Sequence, residues 1–302
     1  MPTLLITTDY LTPGDEVDNH LTSLGFTTRH DPMGAQRTAD QLITALDGVT
    51  GALVANEPLT AEVLGQAPLL RAVVRTGVGY DSVDVDAASR LGISVSNLPG
   101  VNANAVAEYT IGLLLVQARD LVGMAAGVAA GGWPRRDGFE LRGKMLGIIG
   151  RGAVAQRTRF LAEALGLNVP QGLPLEELLR VSDFVSIHTA LTDRTRHLID
   201  ATALARMKPT AHLINTARGG IVDEHALAEA VRTGRIAGAA LDVTETEPLP
   251  TGSVLRDVAG ITVFSHMAGQ TAEARRDAGM KGARELVAAL AGHPAHAVTG
   301  PR

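Results

Sequence analysis

Apolar and polar positions along the chain follow two alternating patterns. Short apolar runs, such as residues 51–56 (GALVAN) and 145–150 (MLGIIG), have the length and composition of buried strands. Between such runs lie stretches with apolar residues every three or four positions, as in residues 39–46 and 85–91, which predicts amphipathic helices. Strands that alternate with helices predict parallel sheets with helices on both faces, so the predicted fold class is α/β.

The alternation occurs as two series, which predicts two domains. The predicted strands are residues 4–7, 51–56, 70–75 and 93–97 in the first series and 145–150, 167–169, 183–188, 211–215, 237–243 and 260–264 in the second. A long helix is predicted from residue 104 to about residue 129, and another over residues 272–291. Because the two units would join at the long helix and again near Ala272, we expect a substrate cleft between them.

Composition restricts the classes of function. A net charge of −5 and an aromatic content of 3% disfavour nucleic acids and anionic membranes as partners. The absence of cysteine excludes disulfides and thiolate nucleophiles, and no two histidines have the H-x-x-x-H spacing, so no metal site is expected. Neither a basic leader nor an apolar run of about 18 residues is present, so we expect a cytoplasmic protein outside the membrane.

A glycine loop follows the strand at residues 145–150. Its sequence is Gly150-Arg151-Gly152-Ala153-Val154-Ala155, and a predicted helix begins within it. This G-x-G-x-x-A pattern suits a dinucleotide, since the first glycine permits a tight turn, the second lets backbone approach a pyrophosphate, and the helix N-terminus attracts phosphate. The motif by itself is weak, and an ordinary glycine-rich turn remains the alternative.

The acid that normally accompanies this loop is missing. An Asp or Glu about 20 residues further on usually holds the ribose hydroxyls of the cofactor. Here Leu173 stands at that point, and the next acids, Glu176 and Glu177, fall in a predicted helix where solvent-facing charge is the favoured interpretation. No Arg stands there to accept a 2′-phosphate. Losing one charge-assisted hydrogen bond costs about 1.5–3 kcal/mol, so we expect weakened NAD binding that the phosphate contacts still permit.

Three polar residues follow three predicted strands of the second series. Arg218 lies beside Gly219-Gly220, Glu247 lies in an acidic segment, and His266 follows the strand at 260–264. Open α/β sheets bind ligands at the carboxyl ends of their strands. A guanidinium suits a carboxylate, and a carboxylate beside an imidazole orients the ring for proton transfer. Taken singly, a surface Arg, a solvated acidic loop and a structural His are the alternatives; together they favour a site.

These residues resemble the D-isomer-specific 2-hydroxyacid dehydrogenases, over about residues 71–282. Residues 75–84 (RTGVGYDSVD) resemble the substrate loop of that family, 97–108 its hinge into the nucleotide domain, and 182–192 the strand and loop on the adenosine side, with Ala190 in place of a usual proline. Arg218 matches the arginine that grips the substrate, Glu247 and His266 match the acid/base pair, and Asp242 matches an acid near the nicotinamide amide.

The resemblance implies a fold, an activity and a set of site residues. Residues 1–98 with 272–302 would form a flavodoxin-like substrate domain and residues 99–271 a Rossmann-like nucleotide domain, both with parallel sheets. The activity would be hydride transfer between NAD or NADP and a small 2-hydroxy or 2-keto acid, and homodimers would form through the long helix. Substrate-binding residues would be Arg75, Gly77, Val78 and Gly79; cofactor-binding residues would be Gly150, Gly152, Ala153, Val154, His188, Thr216, Ala217 and Asp242.

Three hypotheses remain open from the sequence. The chain is an active dehydrogenase with loose or unusual nucleotide selectivity, a member repurposed for non-redox acid/base chemistry with another cofactor or none, or a binding module with a vestigial site. The intact Arg218, Glu247 and His266 argue against the third. The missing ribose-binding acid keeps the second beside the first.

Overall fold

A computed structural model describes residues 1–32 and 37–300 of the chain. It divides into two compact units, Met1–Asn102 with Thr271–Arg302, and Ala103–Gln270. In chain order, the strands are β1 (Thr3–Ile6), β2 (Thr27–His30), β3 (Gly51–Val54), β4 (Ala72–Arg75), β5 (Ser94–Ser96), β6 (Leu146–Ile149), β7 (Phe184–Ile187), β8 (His212–Asn215), β9 (Gly238–Leu241) and β10 (Ile261–Val263).

Helices separate these strands in both units. They are α1 (Glu16–Ser23), α2 (Ala39–Leu46), α3 (Ala61–Gly65), α4 (Val85–Leu91), α5 (Ala103–Arg119), α6 (Leu121–Ala129), α7 (Ala153–Ala164), α8 (Leu175–Val181), α9 (Ala201–Arg206), α10 (Glu224–Arg232) and α11 (Ala272–Leu290). Many begin at a residue whose side chain accepts a hydrogen bond from the first turn, as Thr38 does for α2 and Asp223 for α10.

The first unit is a parallel sheet in the order β2-β1-β3-β4-β5. Successive residues of its strands enter opposite cores: Leu5 packs in one apolar cluster, whereas Leu4 and Ile6 pack in the other. Because both faces are covered, the central strands β1, β3 and β4 are mostly apolar, and this explains the continuous apolar runs in the sequence. Helices α2, α3 and α4 supply buried residues to one cluster, and α11 supplies Ala283 and Leu286 to the other.

The second unit is also a parallel sheet, in the order β10-β9-β8-β7-β6. Its two faces are again buried, with Val185 and Ile187 in one apolar cluster and Phe184 in the other. All five strands are parallel, so their carboxyl ends meet at one edge of the sheet. The two parallel sheets confirm the predicted fold class.

The prediction of one helix from residue 104 to about 129 is wrong. The chain forms α5 and α6, which meet at Asp120 with an angle of 65° between their axes. Asp120 adopts a left-handed backbone conformation with φ 48°, which interrupts the helical hydrogen bonds, and its carboxylate accepts a hydrogen bond from Arg136. Among the described residues, no single helix is long and apolar enough to cross a membrane; this bent pair reaches the length and composition together.

The predicted strand at residues 167–169 is also wrong. Only Asn168 pairs with a neighbour, in an isolated bridge to Met145. Pro170 has no amide to donate to a ladder, and Gly172, with φ 74°, turns the chain into α8. The first seventy residues held elements that the sequence pattern did not predict, namely α1, β2 and α3. The sequence of β2, Thr-Thr-Arg-His, is polar because this strand lies at the edge of its sheet.

Candidate active site

The glycine loop joins β6 to α7 at the carboxyl edge of the second sheet. Gly150 has φ 132°, and a Cβ at this position would overlap the carbonyl group of His188. Ala155, the third small position, is fully buried where α7 crosses the sheet. Gly150 and Ala155 therefore fulfil the steric requirements of the predicted turn.

The N-terminus of α7 is open to a ligand. Gly152 is the N-cap and provides no side chain to bond the amides of the first turn. A Cβ at Gly152 would meet no atom within 4 Å, so space lies beside these amides. Unbonded amides and the positive end of a helix dipole suit a phosphate, so the loop and the first residues of α7, Ala153 and Val154, fit the pyrophosphate of a dinucleotide.

Arg218 lies in a tight loop immediately after β8. The side chain of Asn215 braces the loop, since its Oδ1 accepts a hydrogen bond from the Ala217 amide (3.0 Å) and its Nδ2 donates to the Arg218 carbonyl (2.8 Å). A Cβ at Gly219 would overlap the backbone of Thr244. Glycine therefore allows the Arg218 loop to lie directly against the loop after β9 that carries Glu247.

Glu247 and His266 form a hydrogen-bonded pair. Oε2 of Glu247 lies 2.7 Å from Nδ1 of His266, and Oε1 accepts a hydrogen bond from the Thr244 amide at 3.1 Å. The side chain of Glu247 is 35% exposed and that of His266 is 40% exposed, so the pair is partly buried but accessible to a ligand. Pairing through Nδ1 leaves Nε2 of His266 as the ring nitrogen for proton exchange with a ligand.

Opposing influences set the pKa of Glu247. Burial raises this pKa, but the hydrogen bond and charge of His266, the Thr244 amide and the charge of Arg218 lower it, and the net shift is below the ordinary value of 4.5. The carboxylate is therefore ionised at neutral pH, and the guanidinium of Arg218 is close enough to stabilise that charge. The structure thus brings together the three residues Arg218, Glu247 and His266.

Asp242 holds the backbone beneath His266. It is 1% exposed, and its two carboxylate oxygens accept hydrogen bonds from the amides of Met267 (2.9 Å) and Ala268 (2.8 Å). The amide of His266 donates to the Asp242 carbonyl at 2.8 Å. These bonds stabilise the left-handed conformation of His266, whose φ is 58° and which is unfavourable for a residue with a Cβ.

Tyr109 is a residue of this region that sequence reasoning missed. It lies on α5, and its hydroxyl group interacts with the carboxylate of Asp242. Burial and then the nearby negative charge of Asp242 raise the pKa of Tyr109 to about 12, so the hydroxyl keeps its proton. The sequence shows only that Tyr109 falls within the predicted long helix, and this position does not indicate that it lies near Asp242 at the end of β9.

The remaining predicted cofactor residues lie at the ends of β7 and β8. Nδ1 of His188 lies 3.5 Å from Oγ1 of Thr216, which lies 3.2 Å from Oγ1 of Thr110 on α5. Burial lowers the pKa of His188 to about 4, so its ring is neutral at physiological pH. Ala217 follows Thr216 and is half-buried. Neutral polar groups beside a small side chain suit the hydroxyl groups of a bound cofactor better than a charged ligand.

A second Glu–His pair lies elsewhere on this unit. Nε2 of His197 is 3.0 Å from Oε1 of Glu245, and His197 also has a left-handed backbone, with φ 48°. Oε1 of Glu245 also accepts a hydrogen bond from the Glu224 amide, and Oε1 of Glu224 accepts one from the Glu245 amide at 2.6 Å. The sequence indicated only a solvated acidic loop here, because the contact joins segments that are distant along the chain.

The predicted substrate loop belongs to the first unit. Arg75 ends β4, and its guanidinium donates to Oδ1 of Asn56 at 3.1 Å. The loop is anchored through its carbonyl groups: Gly77 accepts from the Leu98 amide, and Val78 accepts from Nδ2 of Asn97. Within residues 1–32 and 37–300, no hydrogen bond engages the amides of residues 77–79. Those amides are therefore suited to a carboxylate.

Comparisons with known proteins agree with this geometry. The family model "D-isomer specific 2-hydroxyacid dehydrogenase, NAD binding domain" matches residues 111–268, more than half of the chain. A glyoxylate reductase from Aeropyrum pernix is 41% identical over 277 residues, covering 83% of this chain and 80% of the relative.

Solved structures extend the similarity to almost the whole chain. The TT0316 protein from Thermus thermophilus has a TM-score of 0.89 and 34% identity, and the match covers 98% of this chain and 99% of that one. An NAD-dependent formate dehydrogenase from Staphylococcus aureus, solved with NAD, has a TM-score of 0.87 and 25% identity, with 99% and 100% coverage. The chain therefore belongs to the D-isomer-specific 2-hydroxyacid dehydrogenase family, as an oxidoreductase that transfers a hydride between a nicotinamide cofactor and a 2-hydroxy or 2-keto acid.

Proposed function

We propose that this protein reduces a short 2-keto acid, and oxidises the corresponding 2-hydroxy acid, at Arg218, Glu247 and His266. The observation that supports this most is the 2.7 Å contact between Glu247 and His266, with Arg218 beside it, on loops at the carboxyl ends of three strands. A guanidinium, a carboxylate and an imidazole at one sheet edge supply anion binding and proton transfer together.

Each residue has a distinct role in the proposed reaction. When bound, the nicotinamide cofactor supplies the hydride for C2 of the keto acid, or accepts it in the reverse direction. Arg218 binds the carboxylate and carbonyl oxygens of the substrate through its planar fork. His266 donates a proton from Nε2 to the ketone oxygen during reduction and takes it back during oxidation. Glu247 holds the ring through Nδ1 and stabilises the imidazolium form.

Supporting residues keep these groups in place. Asp242 positions His266 through the amides of Met267 and Ala268. Asp242 is also proposed to lie near the amide group of the bound nicotinamide. In the first unit, Arg75 and the amides of Gly77, Val78 and Gly79 are proposed to bind the substrate carboxylate.

The cofactor is proposed to lie along the carboxyl edge of the second sheet. Gly150, Gly152, Ala153 and Val154 would hold the pyrophosphate, Thr216 and Ala217 would line the nicotinamide ribose, and His188 would line the cofactor between them. The choice between NAD and NADP depends on the adenosine end, where the chain lacks the usual acid.

Turnover of small 2-keto acids tests the proposed function directly. The purified chain is mixed with NADH or NADPH and with glyoxylate, the compound named for the Aeropyrum pernix relative, or with pyruvate as a bulkier 2-keto acid. We expect substrate-dependent loss of reduced nicotinamide absorbance. Absence of turnover with both coenzymes and both acids, by a protein that binds a reduced coenzyme, would favour the non-redox alternative.

We also propose that the protein is a cytoplasmic homodimer that associates through α6. No residue of α6 is buried, although the helix is apolar and exposes Leu121, Val122 and Val128. An apolar helix without buried positions suits a subunit interface. Light scattering of the wild-type chain is expected to give twice the mass of 31.5 kDa, and Val122→Glu is expected to halve it. A wild-type monomer would refute this assignment.

A further inference from the structure

The second sheet ends at β6, beside the glycine loop. In the described residues, β6 pairs with β7 on one side, and on the other side the chain forms only the bridge between Met145 and Asn168. The amide of Leu146 donates to the Asn168 carbonyl at 2.9 Å, and the Asn168 amide donates to the Lys144 carbonyl at 2.8 Å. The neighbouring segment therefore accompanies only the beginning of β6.

The register shows how far this segment falls short of the ligand edge. Parallel pairing that continued from Met145–Asn168 would place Gly172 beside Ile149, the last residue of β6. Four residues of strand span about 13 Å, so the bridge lies that far below the glycine loop. Instead of continuing, the chain turns at Pro170 and enters α8, whose Leu178 and Leu179 are buried in the core. The connection itself is mostly exposed, and only Val169 and Leu173 pack partly against the apolar clusters.

The segment also lacks the chemistry that recognises adenosine. Residues 167–174 (LNVPQGLP) contain no ionisable side chain. Asn168 uses its amide group to donate to the Gly143 carbonyl at 3.1 Å, and Gln171 is exposed. A carboxylate here would bind ribose hydroxyls and repel a 2′-phosphate, whereas a cation would attract that phosphate. Without either charge, the segment offers no basis for distinguishing the two.

The next acids along the chain do not replace the missing one. Glu176 is 75% exposed and forms an ion pair with Arg206 at 3.0 Å, and Glu177 lies 3.9 Å from Arg180 on the same helix. Both lie in the first turn of α8, and each is paired with an arginine outside the glycine loop. By contrast, the parts proposed to hold the pyrophosphate and the nicotinamide ribose, namely the open start of α7 and Thr216, are present.

We infer that this chain recognises the nicotinamide mononucleotide half of its cofactor and is nearly indifferent to the adenosine half. NADH and NADPH then bind with similar affinity, and reduced nicotinamide mononucleotide (NMNH) binds almost as well as either. The inference rests on the proposed function, because it assumes that a nicotinamide nucleotide binds at the glycine loop.

Equilibrium binding measures this directly, without turnover. The purified full-length chain is titrated with NADH, NADPH and NMNH, and binding is followed by calorimetry and by nicotinamide fluorescence. We expect dissociation constants for NADH and NADPH within about threefold of each other. NMNH is expected within about tenfold of NADH, because it loses mainly the contacts of the second phosphate, and a tenfold change corresponds to about 1.4 kcal/mol. ADP-ribose, which lacks nicotinamide, is expected to compete weakly.

Two variants show where the ligands bind. In Gly152→Val, the valine side chain has space in the folded chain but fills the region beside the α7 amides. The substitution should therefore raise the dissociation constants of all three nucleotides at least tenfold. Arg151→Ala removes the exposed cation of the glycine loop and should affect NADH and NADPH equally. A preference for NADPH that disappears in Arg151→Ala would overturn the inference, because this arginine would then read the 2′-phosphate.

The remaining outcomes separate the inference from the proposed function. A preference of more than tenfold between NADH and NADPH, or NMNH binding more than a hundredfold weaker than NADH, would overturn the inference and leave the dehydrogenase function intact. Failure of all three nucleotides to bind at millimolar concentration would overturn both. Values within the expected limits, abolished together by Gly152→Val, would support it.

Discussion

The two ends of the proposed cofactor site are built in opposite ways. At the reactive end, His266 is held by Glu247 through its ring and by Asp242 through its backbone. At the adenosine end, the segment between Asn168 and α8 provides backbone and neutral side chains only. One end carries interlocking charges, and the other carries none.

This difference shows which interactions hydride transfer requires. Proton transfer depends on the position and ionisation of groups within hydrogen-bond reach, so loss of one contact at the reactive end alters the chemical step. Adenosine contributes binding energy at a distance from the reacting atoms, so its contacts are dispensable as long as the pyrophosphate and nicotinamide are held. We therefore expect this family member to keep its activity without the strand at the adenosine end.

The largest effect is expected from His266→Asn. Asparagine tolerates the left-handed backbone at this position but cannot transfer a proton, so kcat should fall by about 10²–10⁴-fold while coenzyme affinity stays unchanged. Steady-state reduction of glyoxylate and coenzyme titration measure the two quantities. His197→Asn is the matched control, since His197 also has φ above zero and a glutamate partner, and its kcat should stay within about threefold of the wild type.

Equal losses in the two histidine variants would contradict the assignment of His266. The defect would then reflect a general disturbance of Glu–His pairs in this unit, and the comparison between the two ends would lose its main support.

The next largest effect is expected from Arg218→Lys. Lysine keeps the charge but loses the planar fork that binds two substrate oxygens, which costs about 1.5–3 kcal/mol, or roughly 10- to 150-fold in kcat/KM. Steady-state kinetics with varied keto acid tests this. Arg232→Lys, at an exposed ion pair with Glu229, should leave kcat/KM unchanged. An unchanged value in Arg218→Lys would remove this residue from substrate binding.

Acidification should weaken the second unit through a residue outside the site. His212 is 8% exposed, its Nδ1 lies 3.0 Å from Oε1 of Gln117, and burial lowers its pKa from 6.5 to about 4. Between these pH values the unfolded chain binds more protons than the folded chain. The contribution of neutral His212 to the free energy of unfolding is therefore complete above pH 6.5 and is lost as the pH falls toward 4. The loss attributable to His212 between pH 7 and pH 5 should be about 2 kcal/mol.

Urea unfolding of the wild type and His212→Gln at pH 7 and pH 5 measures this contribution. The variant should be less stable at pH 7 and less sensitive to pH, with the remaining dependence partly due to His188, whose pKa is also lowered. Identical pH dependence in both proteins would show that His212 does not remain neutral when the chain is folded.

The smallest effect is expected at the adenosine end. Gln171 is exposed in the short segment before α8, so Gln171→Ala should change the dissociation constant of NADH by less than about twofold. Calorimetric titration checks this. A tenfold loss of affinity for NADH would mean that this segment contacts the coenzyme. The adenosine end would then contribute specific contacts, as the reactive end does.

The elements and residues that could be predicted are those at which local pattern and chemistry agree. Apolar runs located most strands, because strands buried on both faces must be apolar at every position. The glycine loop and Arg218 were recognisable from short motifs that serve a backbone geometry. Asp120 and Asn168 were missed because a helix break and a lost strand depend on left-handed backbone and pairing partners, which residue composition describes poorly.

The sequence by itself determined the α/β class, the family, the residues able to exchange protons, and the absence of an acid after the glycine loop. Only the tertiary structure decided that Glu245 pairs with His197, that Tyr109 lies near Asp242, and that the chain leaves β6 after a single bridge. The reason is physical: residue type limits which interactions are possible, but the meeting of distant strand ends in the folded sheet selects which of them form.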